Sequence, residues 1–499
     1  MTRAPKPPES TANLSRRAAL LGGGAAMLQL AARPARGATR MGAATQRRVI
    51  DMILVAAPGI APVRGGTMPG TPVWAYGGRV PGPEIRARQG DRLRVLVENR
   101  LSEATTVHWH GIRLPNAMDG VPGLTQRAIP PGGRFRYEFD LPDAGTFWYH
   151  PHQRSFVQVA RGLYGALVVE EAAPSPFARE LTWVLGDWRL QEDGKILEDF
   201  GNESDVMHEG RIGNFVTING RTPEALVLRP GERVRLRLVN AASARNFALS
   251  FEGHNPWIVA LDGQPVTPHE PEDGRIVLGA AMRADIVLDG IGQPGKIYRV
   301  VDDFYEHGAY VINAINTADG PRETRAPSPP PPLPGNALAK PDIRSATRVE
   351  MVFRGGMEGN DASGAMRHRP LTMEISPDRR GTGGQGTGGH GIGGHGIGRE
   401  HDARHGSPFL VVRRGKTVVF SLRNETDWHH PMHVHGHSFL VVSHNGKAPR
   451  HRQWRDTLLL KPREAAEIAF VADNPGFWMV HCHVLDHQDN GMMAMFRVV

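Results

Sequence analysis

The segment Gly476 to Met492 (GFWMVHCHVLDHQDNGM) holds the only cysteine of the 499-residue chain, Cys482, with His481 and His483 on either side and His487 and Met492 following. One thiolate, two imidazoles and a remote thioether are the ligand types of a blue-copper electron-transfer centre, in which His and Cys bind closely and Met lies axial and weak. In an extended segment side chains alternate, so His481 and His483 leave one face and Cys482 the other. One backbone then touches two metal sites, which is a short covalent route for electrons. The competing reading of Cys482 is a buried, inert core thiol.

Three further motifs pair histidines: His108-Trp-His110, His150-Pro-His152 and His430-Pro-Met-His433-Val-His435. Spacing of two on a strand puts both imidazoles on one face, so each pair can converge on one metal cluster. His430 precedes His433 by three residues, an odd offset that sends it to the opposite face, as Cys482 is opposite its neighbours. Two sites follow. His430, Cys482, His487 and axial Met492 form one; His108, His110, His150, His152, His433, His435, His481 and His483 form the other. Thiolate, imidazole and thioether together favour copper, whereas zinc usually closes a tetrahedral site with more cysteines.

The elements that must carry these residues read as strands. From residue 48 onward the chain has short β-branched runs, frequent Gly and Pro turns and little helical periodicity, so the expected fold class is all-β. Pro81 to Asn99, Pro223 to Asn240 and Pro408 to Asn424 repeat one pattern of strand, Gly turn, strand, Asn, with nine positions from Gly to Asn in each. A second repeat aligns Gly145 to His152 with Gly476 to His483, each placing a histidine pair five residues after Gly; Pro151 stands where the last copy has Cys482. The middle copy has no such histidines and reads as a spacer. The expected domains are 45–172, 173–325 and 343–499, joined before the third by a Pro-rich linker, 326–342, with a Gly/His-rich low-complexity insertion at 381–406.

Composition bounds the rest. At 40% hydrophobic and 22% charged the chain is globular and long enough for about three domains. Residues 1–40 hold seven Lys/Arg against Glu9 alone, a net of +6 out of the chain's +8. The basic balance therefore reports a leader and not a nucleic-acid surface. That leader, Ser15-Arg16-Arg17 followed by an apolar Gly-rich run and small residues near Ala35 to Ala38, resembles a twin-arginine export signal, with Ala19 where a bulky residue is usual. Its run of about 15 residues is short of the ~20 a spanning helix needs. The expectation is an exported, periplasmic or secreted protein with no membrane span. A single Cys cannot form an internal disulfide, so stability rests on cores and bound metal.

These motifs together resemble those of bacterial three-domain multicopper oxidases, the family of laccases, copper-efflux oxidases and bilirubin oxidases, over everything after the leader. The resemblance implies three cupredoxin-like Greek-key β-sandwiches, with four coppers per chain and the cluster between domains one and three. It implies type 1 ligands His430, Cys482, His487 and Met492, type 2 ligands His108 and His433, and type 3 ligands His110, His150, His152, His435, His481 and His483. The implied reaction is four one-electron oxidations of a small-molecule reductant, a phenol, aromatic amine or metal ion, coupled to reduction of dioxygen to two waters. The expected assembly is a monomer.

Reducing dioxygen consumes protons, and Asp119 matches the family's acidic residue near type 2 copper; its other reading is a turn-forming Asp-Gly. Asp456 is similar to an acidic position near the type 1 site, or belongs to an ordinary surface loop. The family's other relay acid falls at Gln488 here, with Asp486 and Asp489 as substitutes. The insertion carries His390, His395, His401 and His405, an accessory copper site or a solvated linker. Trp428, two positions before His430, stands where a cuprous-ion site would favour Met. The alternatives to a laccase-like oxidase are a periplasmic cuprous oxidase for copper tolerance and a non-catalytic copper-sequestering protein.

Overall fold

The computed structural model describes residues 47–306, 308–321, 328–360, 366–377 and 407–499; the leader and the insertion histidines lie outside them. The described residues form six sheets that segregate along the chain in pairs, the expected all-β arrangement of three β-sandwiches. The first pair is built from strands between Val49 and Glu170, the second from strands between Arg179 and Thr317, the third from strands between Thr347 and Val498. Helices are short, and among the described residues none is long and apolar enough to cross a membrane.

The repeat read from the sequence is a repeat of pairing. Arg92–Asn99, Arg233–Asn240 and Thr417–Asn424 each lie parallel to the first long strand of their own copy and antiparallel to a later one. Each ends on a buried Asn that makes the same bonds. The Oδ1 of Asn99, Asn240 and Asn424 accepts from the backbone N–H two residues on, and Nδ2 donates to two carbonyls, one of them on a distant segment. The side chain thus closes a turn that the backbone alone leaves unpaired, which is why Asn is the residue that recurs.

The first and third copies share one continuous apolar core, running from Leu54 and Trp109 through Phe420 to Trp478, while the middle copy has its own. A smaller cluster draws Trp148, Val184, Ala281 and Leu485 from all three. The linker does more than space the copies. Leu333 packs against Val259 and Val287, and Asn336 bonds both Ala144 of the first copy and Gln264 of the middle one.

The two glycines that begin the histidine-bearing strands stand where another copy's atoms leave no room for a side chain. Gly145 (φ +152°) abuts the backbone of Gly263, and Gly476 (φ +132°) abuts the Asn116 side chain, whose Nδ2 donates to the Phe477 carbonyl at 2.5 Å. Gly476→Ala is expected to cost about 1–3 kcal/mol, from backbone strain and the displaced Asn116, and to lower the thermal midpoint. An unchanged midpoint in scanning calorimetry would refute this account of the contact.

Candidate metal centre

Strand Gly476–Cys482 is paired with strand His430–Val434, so that Met432 faces Cys482 and His433 faces His481. Alternation then divides the side chains as the parity argument requires. On one side Cys482 Sγ lies 3.6 Å from His430 Nδ1 and 3.7 Å from His487 Nδ1, the latter on the short helix Leu485–Asp489. All three residues are buried. His487 Nε2 donates to the carbonyl oxygen of His208 at 2.8 Å, which puts its proton on Nε2 and turns the Nδ1 lone pair toward sulfur. The Thr426 hydroxyl donates to Asn424 Oδ1, so its oxygen accepts from His430 Nε2 at 2.8 Å and fixes that ring the same way. Met492 is fully buried, and its carbonyl accepts from the Cys482 N–H at 3.0 Å. Burial pushes the Cys482 thiol up to about 12 and holds His487 down at about 4. The imidazoles are therefore neutral donors, and a cation entering here displaces the thiol proton.

On the other side, strands His108–His110 and Gly145–His150 pair with His108 opposite His150, and Trp109 and Tyr149 on the reverse face enter the core. Truncating a fully buried Trp of this kind costs about 3–5 kcal/mol, so the histidine face is backed by a stiff layer. The histidines gather into three groups, the first two sharing His110, each with its ligand atoms within 4.8 Å of one another: His108, His110 and His433; His110, His150 and His483; and His152, His435 and His481.

The bonds made by the outer nitrogens decide which lone pairs point inward. Nδ1 of His108, His150, His433 and His481 faces a backbone carbonyl, of Asp119, Pro151, Asp456 and Cys482 respectively, at 2.8 to 3.0 Å. A carbonyl only accepts, so these rings carry Nδ1–H and offer Nε2. His110 is reversed, with Nε2 toward Asp456 Oδ1 at 3.1 Å and Nδ1 inward. The inward nitrogens of His108, His110, His150, His152 and His433, and both of His483, are buried with no hydrogen-bond partner. His435 Nδ1 is engaged by Asp119 Oδ2, so His435 Nε2 and His481 Nε2, 3.0 Å apart, are two acceptors facing each other. Buried polar atoms are ordinarily paired, and opposed lone pairs repel unless a cation lies between them. The donor set fits metal ions.

The acids fall differently from the sequence reading. Asp119 is buried, with Oδ2 2.8 Å from His435 Nδ1 and Oδ1 3.2 Å from His108 Nδ1, so it touches two of the groups and is more than a turn residue. Asp456, expected beside the cysteine site or on a surface loop, is neither. The Thr457–Leu460 strand runs antiparallel to His430–Val434 with Thr457 opposite His433, which carries residue 456 to the far end, against His110 and His433. Burial alone would push the Asp456 acid up, but the Arg283 guanidinium outweighs it and holds the carboxyl below the usual range. Gln488 Nε2 lies 3.5 Å from His152 Nδ1, and Asp486, pushed up to about 6 by burial, accepts from the Arg211 N–H.

The middle copy is not a spacer. It supplies the His208 carbonyl to one site and Arg283 to the other. Sequence reasoning passed over His208 and Thr457, whose contacts are long-range or use backbone atoms, and Thr426, which lies only four residues before His430. Arg283 and Asp285 did leave a signal, being charged residues in an otherwise apolar strand run.

A cavity of about 790 Å³ lies in the middle copy. Ile212, Phe215, Tyr305, Tyr310 and Arg245 line it. Tyr305 meets Phe304 and Phe304 meets His429, each with ring centroids 5.0 Å apart, and His429 precedes His430.

Three family models described as multicopper oxidase match residues 63–174, 179–319 and 382–499. The chain is 31% identical over 453 residues to the multicopper oxidase MmcO of Mycobacterium tuberculosis, covering 84% of this chain and 81% of that one. It is 25% identical over 544 residues to copper resistance protein A of Escherichia coli, covering 84% and 88%. A crystal structure of a multi-copper oxidase from Pseudomonas thermotolerans superposes with a TM-score of 0.75 at 34% identity, over 91% of this chain and all of that one.

Burial, and for most of them neighbouring imidazoles, lowers His110, His150, His152, His430, His433, His435, His481, His483 and His487 below the ordinary imidazole value. Below about pH 6.5 the unfolded chain binds protons that the folded, metal-free chain does not, so stability falls as pH falls through this range. Asp262 and Asp486, both pushed up to about 6, act in the opposite sense, as do Asp302 and Glu209, but these four acids are outnumbered by the nine imidazoles. The thermal midpoint of metal-free protein is expected to drop between pH 7 and pH 5; a constant midpoint would show that the imidazoles titrate freely.

Proposed function

The chain belongs to the multicopper oxidase family, an oxidoreductase with copper as cofactor, and from that premise we propose which residues hold the metal and what it oxidises. His430, Cys482, His487 and Met492 would hold the type 1 ion. His108 and His433 hold type 2 copper. His110, His150 and His483 hold one type 3 ion, and His152, His435 and His481 the other. The three cupredoxin-like domains follow the three sheet pairs, at 45–172, 173–325 and 343–499. The observation that carries the assignment is the tripeptide His481-Cys482-His483, which places one residue in each of three donor groups.

When bound, copper supplies a one-electron acceptor at the sulfur site and, at the histidine site, the place where dioxygen takes four electrons and four protons to give two waters. The chain's own part is to join and orient these sites. A single peptide unit joins Cys482 to a histidine of each type 3 group, and the carbonyls behind His481, His150 and His433 hold the rings in one tautomer. Asp119 holds or passes a proton at Oδ2, where it meets His435.

The reductant is a small aromatic molecule such as a phenol. The apolar, tyrosine-lined cavity suits a ring, and ring contacts run from its Tyr305 through Phe304 to His429, the residue before the type 1 ligand His430. The copper-resistance relative supports a second reading, oxidation of cuprous ion, in which His390, His395, His401 and His405, outside the described residues, gather the metal. Oxygen uptake with a phenol and, separately, with cuprous ion separates the two. The twin-arginine-like leader supports action in the periplasm.

Cys482→Ser is expected to abolish the blue colour and substrate oxidation and to leave about three of the roughly four coppers in place, since only the soft site loses its thiolate. Colour surviving the substitution, or a single copper in the parent, would sink the assignment. Asp119→Asn is expected to slow the dioxygen-dependent step by about 100-fold while anaerobic reduction of type 1 copper keeps its rate. Stopped-flow absorbance separates the phases, and equal aerobic rates would leave Asp119 with no part in proton transfer.

A further inference from the structure

We propose that Arg283, in the copy that carries no metal-ligand histidine, is a positioning residue for the histidine cluster, acting through Asp456 on His110 and His433 together. The inference rests on the reading that these two histidines hold copper.

Arg283 is fully buried at the start of strand Arg283–Asp289. Its guanidinium grips Asp456 with both terminal nitrogens, Nη1 to Oδ1 at 2.8 Å and Nη2 to Oδ2 at 2.5 Å. Nε donates to the Thr146 carbonyl at 3.2 Å and Nη1 also to that of Ala281 at 3.1 Å. The fork is thus anchored in the first copy and its own, and aimed at the third. A planar fork can fix both the place and the plane of a carboxylate, which a point charge cannot.

What that carboxylate then touches is the reason to assign a role. Asp456 Oδ1 faces His110 Nε2 at 3.1 Å and accepts from the Thr457 hydroxyl at 2.8 Å. The same hydroxyl oxygen lies 3.2 Å from His433 Nδ1, and the Asp456 carbonyl accepts from that nitrogen at 2.8 Å. The His110 and His433 rings stack with centroids 3.7 Å apart and 19° between planes. One residue therefore sets the tilt of two imidazoles assigned to different ions, and Arg283 sets that residue. Gly111 supplies the space: at φ +86° a Cβ there would collide with Arg283 Nη2 and Asp456 Oδ2. The glycine closing the His108-Trp-His110-Gly111 motif thus admits the arginine of another copy.

The test uses the full-length, copper-loaded enzyme and its Arg283→Lys variant. Lysine keeps a charge opposite Asp456 but loses the fork. Copper is withdrawn with increasing chelator while electron paramagnetic resonance follows the type 2 ion and the visible band follows the cysteine site. Outer partners of ligand histidines change metal affinity about 10–100-fold, so the variant is expected to release cluster copper at about ten-fold lower chelator. The visible band should survive to the same concentration as in the parent. Arg283→Lys combined with Asp456→Asn should lose no more than Asp456→Asn alone, because the two act in series.

Unchanged retention of the type 2 signal would overturn the proposal. So would parallel loss of both signals with a lowered thermal midpoint, which is the mark of mere docking between copies. Should Arg283→Lys not fold, Thr457→Val, which removes the hydroxyl that lies against Asp456, His433 and His110, must shift the type 2 resonance; an identical spectrum overturns the chain of contacts. A parent with no type 2 signal would instead sink the ligand assignment on which the inference stands.

Discussion

Buried imidazole lone pairs that no hydrogen bond satisfies are what the rest of this molecule is arranged around. A fold normally pairs its buried polar atoms, and leaving several unpaired in one place is costly unless a cation fills the gap. The expense is met by satisfying the opposite edge of the rings. Carbonyls of Asp119, Pro151, Asp456 and Cys482 take the Nδ1 protons of four histidines, so each ring has one direction left in which to donate electrons. The Trp109, Tyr149 and Phe139 layer behind His108 and His110 keeps the strands from relaxing around the gap.

The two donor sets are coupled by the simplest property of an extended chain. Because neighbouring residues on strand Gly476–Cys482 face opposite ways, His481 and Cys482 belong to different sites although a single peptide unit joins them. The chain leaves the strand at Cys482, and His483 returns to the histidine side while helix Leu485–Asp489 brings His487 back to sulfur. Burial raises the thiol and lowers the imidazoles, so both sets stand as neutral donors at neutral pH and respond to a cation by losing one proton at Cys482.

The middle copy shows how an element without ligands can still govern them. Its Arg235, Arg237 and Arg283 are fully buried and paired with Asp285, Glu180 and Asp456, and Arg237, Arg283 and Asp285 bond Thr146 on the strand that carries His150. Such ion pairs contribute little net stability compared with apolar packing, yet breaking one is expensive, so they favour a single relative placement of the three copies. The His208 carbonyl over His487 belongs to the same pattern, with a backbone atom from one copy orienting a ring in another.

By itself the sequence determined the all-β class, the threefold repeat and the division of ligands into two sets. Those depend on spacing and alternation, which are local: His481, Cys482 and His483 diverge in any extended chain, and a buried Asn closes the same turn after Asn99, Asn240 and Asn424. Only the tertiary structure decided what stands behind the ligands. Asp456 was read, by resemblance, as a neighbour of the cysteine site or as part of a surface loop, but strand register carried it to the His433 end. The middle copy was read as a spacer because ligand residues are recognisable by type. A guanidinium that acts across copies, or a carbonyl that every residue possesses, acquires its role only from the distances that packing sets.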